Sequence, residues 1–274
     1  MEDQKGRKFV KRLKGLLLAD TMYRQVLFTI ISLVVFIAIW QIASVVLHSD
    51  YLPGPGKVWD ALVTSFSGPD PIFGTTMWEN IWASVQRFGL GFIIAFAIGV
   101  PAGLLMGFSR TTEILLKPIV EIFRPIPPIV WVPIFFVLFS YIWGPVLAIT
   151  IGAVFPIITS VSFGVKSVDP IYYDAAKTQG ASRLQIFNKI VVPFTLPYMM
   201  TGVRIGLGVA WMCIVAAEMI MAIGGGLGLY IWYYAFNAPI ENAYAGIIVL
   251  AVLGLSTVSL AEYIENYILK TRGE

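Results

Sequence analysis

The chain is poor in charge, in cysteine and in histidine, and each shortage removes a class of function. Of its 274 residues 13% are charged against 58% that are apolar, and the mean hydropathy is +0.80. A soluble globule of this length needs more polar surface, so the composition places the chain in lipid. Cys213 is the only cysteine, which excludes a disulfide within the chain and leaves the redox compartment unread. His48 is the only histidine, which excludes multi-histidine metal sites and reads as an interfacial side chain at the outer end of the first span. Gly54-Pro-Gly-Lys57 invites comparison with a phosphate loop, but the preceding glycine is missing and Val58 stands where a Ser or Thr would hold magnesium. No nucleophile elbow and no paired-carboxylate site is visible. The sequence therefore offers no catalytic group, cofactor site or metal site of its own.

Long apolar runs are what the chain does have. Six of them, at 26 to 47, 84 to 107, 118 to 141, 145 to 165, 195 to 221 and 243 to 266, each supply about 20 residues, enough at about 1.5 Å per residue to cross a core of about 30 Å. They lack the period-two alternation of a barrel strand, so the expected fold is an all-α polytopic membrane protein with about six transmembrane helices. Basic residues set the expected orientation. Lys5, Arg7, Lys8, Lys11, Arg12, Lys14 and Arg24 precede the first span; Arg110 and Lys117 follow the second; Lys166, Lys177, Arg183 and Lys189 follow the fourth; Lys270 and Arg272 end the chain. The segments on the other side hold Lys57, with Arg87, Arg124 and Arg204 in or beside spans. The positive-inside rule then puts both termini in the cytoplasm. The basic segment 1–25 reads as a topology and anionic-lipid signal rather than a nucleic-acid site, and the run after it is too long for a cleaved signal peptide. In the polar segment 48 to 80, residues 55 to 66 are expected to form a short outer-surface helix presenting Val58, Trp59, Leu62 and Phe66, either to dock a partner or only to close that face.

Residues 166–193 form a polar island between spans. Asp169 can cap a helix with Pro170 at its first position, and Gly180 can end it in a left-handed conformation. Ser182 and Gln185 have capping-box spacing for a second helix, which Pro193 is expected to stop. This island resembles the EAA loop of ABC-importer permeases through Ala175, Ala176, Gly180, Ile190 and Pro193, with Asp174 in place of the motif's Glu and Val192 in place of its Leu. Leu52-Pro-Gly-Pro-Gly-Lys-Val-Trp59, Arg124-Pro-Ile-Pro-Pro128, Gly202-Val-Arg-Ile-Gly206 and Ala216-Ala-Glu218 extend the resemblance to the branch serving nitrate, sulfonates, taurine and bicarbonate. It implies a single permease domain over 26–268 with a short cytoplasmic tail at 269–274, in the cytoplasmic membrane. It also implies a cytoplasmic ABC ATPase that carries ATP and magnesium, an extracytoplasmic substrate-binding protein and a second permease chain. The loop containing Asp174, Ala175, Ala176 and Gly180 would dock in a groove of that ATPase, whose closure drives alternating access for a small anion.

Charges inside spans mark candidate pathway groups. Arg204, Trp211 and Glu218 share one stripe of the fifth span with Gly208 and Val215, either facing a pathway or snorkelling at opposite interfaces. Arg204 and Glu218 are about 21 Å apart along the axis, so each needs another partner. Gly202 and Gly206 offer a small face for helix packing. Pro125, Pro127, Pro128 and Pro133 break the third span into either a gate element or a fixed kink, and Glu121 can pair with Arg124 just before the break. Gly224 to Gly228 permit a re-entrant or a surface loop. Two rivals remain: an ion-coupled secondary transporter using Glu218 and the buried arginines, which wants an inverted repeat not seen here, and a membrane scaffold without transport.

Overall fold

The computed structural model describes residues 2–221, 224–237 and 239–271. They form helices and connecting turns, with no strand among them. Two units are described separately: residues 1–60 and residues 61–274.

The first unit is led by α1 (Glu2–Leu47), whose apolar stretch Tyr23–Leu47 has the length and hydropathy to cross a membrane. The turn after it is tied back to the helix by Trp40 Nε1, donating to the Pro53 carbonyl at 3.0 Å, and Ser44 Oγ, donating to the Leu52 carbonyl at 2.9 Å. Next, α2 (Pro55–Ser67) runs into the second unit. It is the expected short helix with a different inner face. Val58 and Ala61 are buried, whereas Trp59 is 64% exposed.

In the second unit, α3 (Met77–Phe108) starts on a capping box: Thr76 Oγ1 accepts from the Glu79 amide while Glu79 Oε2 accepts from the Thr76 amide. Its buried face repeats every fourth residue through Gly91, Ala95, Gly99 and Gly103, and half-buried Gly107 continues the row. This face packs on α5 (Val132–Lys166). A Cβ added at Gly91, Gly103 or Gly107 would come within 2.7, 2.7 or 2.4 Å of Ile149, Val161 or Val165, and Gly99 meets Ile157 in the same register. The pairs keep a constant offset in sequence, so α3 and the later part of α5 run parallel. Small residues let the two backbones approach, which is how helices associate where lipid supplies no hydrophobic drive. Gly103→Ala is therefore expected to lower the unfolding midpoint of detergent-solubilised protein, at a cost of about 1–3 kcal/mol. Gly89→Ala on the same helix, where an added Cβ meets nothing within 4 Å, is expected to leave the midpoint level or slightly higher. Equal midpoints for the two variants would contradict this seam.

Parallel neighbours require the chain to cross back between them, and it does so in pieces. Here α4 (Arg110–Phe123) leads to a 3-10 turn at Pro128–Trp131 and then to the first segment of α5. Lys166 Nζ donates to Glu113 Oε1 at 2.7 Å, the Phe123 ring stacks 6.3 Å from Phe155, and Gly152 approaches Pro128. Gly144 then lies against the Phe136 backbone. This return strand of chain is thus antiparallel to the later part of α5. Ser140 makes the reversal with φ 70° and ψ 172°, a conformation rare for a residue with a side chain. Among the described residues, five helices are long and apolar enough to span, at Tyr23–Leu47, Met77–Phe108, Pro128–Lys166, Arg183–Ile220 and Glu241–Ile268. The third of these holds the reversal, so the expected span at 118 to 141 is built from α4, the proline turn and a short helix rather than one rod.

After α5 come α6 (Pro170–Thr178) and α7 (Arg183–Ile186), a π turn at Phe187–Val191, and α8 (Val192–Met221). Pro193 does not stop the second helix of the island. The wide π turn just before it rearranges the hydrogen bonds that a proline would otherwise disrupt, and the helix continues into the membrane. Helix α8 packs antiparallel on α5, with Gly164 against Tyr198, Gly202 against Ser160 and Gly152 against Cys213. The Gly202 and Gly206 face is thus used for packing against α5. A short α9 (Leu227–Asn237) and the long α10 (Glu241–Thr271) complete the fold.

Candidate functional site

At one end of the bundle the polar island folds as two capped turns of helix. Asp169 Oδ1 accepts from the Ile171 amide at 2.9 Å, with Pro170 first in α6. Gly180 at φ 77° ends that helix: its amide reaches the Lys177 carbonyl at 2.9 Å, and the Ala181 amide reaches Ala176 at 3.0 Å. This is the Schellman pattern, and it satisfies carbonyls the helix end leaves open. Ser182 and Gln185 close their reciprocal box through bonds of 3.3 and 2.7 Å. Ile186 and Val191 are buried with Val165, and Tyr173, Ala176, Ala181 and Ile190 pack around them. Burial raises the Tyr173 phenol above its ordinary range.

The outer side of this loop carries bare apolar side chains among exposed polar ones such as Lys177, Gln179 and Arg183. Ile171, Tyr172 and Leu184 are 67%, 54% and 68% exposed, and Asp174, Ala175 and Gly180 are exposed beside them. Ala176 and Pro193 are partly covered. Ile171, Tyr172 and Leu184 were not singled out from sequence. Their signal is apolar side chains at the start of each capped helix, where solvent-facing loops usually carry polar ones.

At the opposite end, the expected stripe on α8 is divided among several neighbours. Glu218 has no exposed side-chain surface. Its carboxylate accepts from Ser84 Oγ at 2.8 and 3.0 Å, from Arg87 Nη1 at 2.7 Å and from the Gly228 amide at 2.9 Å. Asn80 Oδ1 accepts from the Gly226 amide and Ser84 Oγ from the Leu227 amide, each at 2.9 Å. Asn80, Ser84 and Glu218 thus cap the first turn of α9, and Arg87 also donates to the Gly225 carbonyl at 2.8 Å. Gly224, Gly225 and Gly226 all have positive φ, which lets the chain turn tightly into this nest of acceptors. Further out, Tyr234 Oη donates to Asp70 Oδ2 at 2.6 Å, with the phenol raised by burial and by that carboxylate.

Trp211 is buried, stacked 4.3 Å from Phe88 and donating to Thr257 Oγ1 at 2.9 Å. Arg204 lies toward the end of α8 nearer α6 and α7 and is held by two carboxylates of α10, Glu262 at 3.3 Å and Glu265 at 3.2 Å. Arg204 and Glu218 therefore each have the separate partner their spacing demands. Arg124, at the C-cap of α4, is exposed. The expected Glu121–Arg124 pair is not formed: Glu121 is 3.8 Å from Lys117, one turn earlier.

Residues 99–270 match the family model described as binding-protein-dependent transport system inner membrane component. The chain is 36% identical over 233 residues to the taurine transport system permease protein of Escherichia coli, covering 84% of each chain. It is 33% identical over 242 residues to the nitrate import permease protein of Synechococcus elongatus, covering 85% of this chain and 84% of that one. Against the bicarbonate transport system permease protein of the same species it is 31% identical over 242 residues, with 86% of both covered. A solved bacterial ABC transporter for import of the acidic polysaccharide alginate shares the fold at a TM-score of 0.63 and 17% identity, over 96% of this chain and 99% of that one. The inward-facing methionine transporter does so at 0.60 and 21%, over 71% and 96%. By family match and by relatives matched over most of their length, the chain belongs to the binding-protein-dependent inner membrane components, the permease subunits of ABC importers.

Proposed function

We propose that this permease moves a small oxoanion inward and that α6 and α7 form the helix pair through which a cytoplasmic ATPase drives it. The observation that carries the coupling reading is the contrast between the two sides of the loop. Its underside is packed and its ends are capped, so its shape is fixed, while Ile171, Tyr172, Ala175 and Leu184 face outward with nothing over them. A rigid knob that presents apolar side chains among polar ones fits a groove in a moving partner. Small side chains at Ala175 and Gly180 allow close backbone approach. ATP and magnesium would be held by that partner chain, a substrate-binding protein would deliver cargo from outside, and the pathway would lie between this chain and a second permease chain.

The coupling loop then faces the cytoplasm with both termini, in keeping with the distribution of lysine and arginine. Small oxoanions are the expected cargo because the taurine, nitrate and bicarbonate permeases resemble this chain over most of its length. Cysteines placed singly at positions 110 and 183 in a Cys213→Ala background are expected to resist a membrane-impermeant thiol reagent in intact cells, and one at position 60 to react. Proteoliposomes holding the permease, its ATPase and its binding protein are expected to accumulate nitrate, bicarbonate or an organosulfonate only with ATP. Labelling at 183 in sealed cells would overturn the orientation, and accumulation only of solutes that carry no oxoanion group would overturn the cargo class.

A further inference from the structure

The return crossing carries ionisable residues at positions 110, 113, 117, 121 and 124, with steps of three and four that place them along one face of α4. Their signs alternate from Arg110 to Arg124. Arg110 pairs with Glu113 at 3.1 Å, Glu113 with Lys166 at 2.7 Å and Lys117 with Glu121 at 3.8 Å, while Arg124 pairs with no described residue. The far side of the helix is quite different. Leu115, Ile119 and Ile122 are 65%, 50% and 63% exposed, and Val120 between the two faces is buried in the core. One exposed face therefore suits acyl chains and the other does not.

The depth of the charged face follows from its neighbours. Glu113 is level with Lys166, at the end of α5, and the Phe123 ring stacks on Phe155. Phe155 lies about 16 Å along α5 from Lys166 and about 21 Å from Tyr141. Arg124, adjacent to Phe123, thus sits near the middle of a hydrocarbon core about 30 Å thick. A bare guanidinium at that depth needs water or an anion, since lipid offers neither. Arg87 and Arg204 are already tied to carboxylates. Of the three arginines in or beside spans, Arg124 is the one left to meet cargo.

We propose that the charged face of α4 lines the aqueous pathway and that Arg124, at its deep end, is the cargo-contacting, specificity-determining residue for an oxoanion. This rests on the importer reading above. A guanidinium presents paired N–H donors to two oxygens on one central atom, a geometry common to nitrate, bicarbonate and sulfonates. The ladder of paired charges leading to it keeps the route wet while presenting little net charge to hold an anion along the way. The proline turn directly after Arg124 stops α4 there, so the guanidinium stands at a break in the wall.

The test uses the assembled complex of permease, ATPase and binding protein in proteoliposomes. Arg124→Gln is expected to lower anion uptake per assembled complex at least tenfold, and Arg124→Lys to recover part of it. In a separate arm, single cysteines at 117 and 121 in the Cys213→Ala background should react with a charged thiol reagent at least tenfold faster than cysteines at 115, 119 and 122. Labelling at 121 should slow when nitrate or bicarbonate is added to a complex that transports it. Unchanged uptake in Arg124→Gln, or equal reactivity on the two faces of α4, would overturn the proposal. A wild-type complex that moves no anion while its charged face labels rapidly would instead fault the cargo class, and with it the role of Arg124. The thiol arm reads the pathway even where an Arg124 variant fails to assemble.

Discussion

Replacing Glu218 by leucine is expected to remove most of the folded permease from the membrane. The carboxylate has no exposed surface and accepts from Ser84, Arg87 and the Gly228 amide at once. Leucine would take from Arg87, Ser84 and the Gly228 amide the carboxylate to which all three donate, at a position with no exposed surface. Removing one partner of a buried pair costs about 3–5 kcal/mol, a large part of the stability of an ordinary domain. Glu218→Gln keeps a carbonyl acceptor of similar shape and should cost less. Exchanging the two charges as Arg87→Glu with Glu218→Arg should not restore the protein, because the α9 amide and Ser84 need an acceptor on α8. Membrane-integrated protein and the unfolding midpoint in detergent decide the order: wild type, Glu218→Gln, then Glu218→Leu. A Glu218→Leu protein as abundant and as stable as wild type would contradict the role given to this cluster.

The cluster also shows where sequence reading reaches its limit. The polar island was legible almost to the atom, because the Asp169 cap, the Gly180 left-handed turn and the Ser182–Gln185 box are local devices set by residues a few positions apart. Likewise, the need of Arg204 and Glu218 for separate partners followed from helix rise alone. The identity of those partners did not, since Arg87 and Glu218 are 131 positions apart and α10 supplies Glu262 and Glu265. The glycine and alanine ladder of α3, at every fourth position from Gly91 to Gly107, was not singled out from sequence, because it takes its meaning only from the α5 ridge that it packs against. Two features ran against local rules. Pro193 sits inside a continuing helix because a π turn precedes it, and Ser140 reverses the chain without the glycine such a φ favours.

The second large effect is expected at the coupling loop, through the surface and not the fold. A Cβ at Gly180 meets nothing within 4 Å, so Gly180→Val is opposed only by its φ of 77°, at about 1–2 kcal/mol. That strain falls on the turn between α6 and α7 and should shift Ile171 and Leu184 relative to each other while the spans stay packed. Ala175→Glu places a charge on the exposed side without touching the packed underside, which makes it a cleaner probe than any change at half-covered Ala176. Both variants are expected to insert at wild-type levels and to lose ATP-driven uptake by tenfold or more.

Association with the ATPase in detergent tests the central claim most directly, since it asks whether this loop is where the permease is held. Tagged permease should retain its ATPase through purification. Ala175→Glu and Leu184→Asp should each reduce the retained ATPase at least tenfold, whereas Trp232→Asp, the same kind of change at an exposed side chain of α9 at the other end of the fold, should leave it unchanged. Full retention in both loop variants would contradict the account.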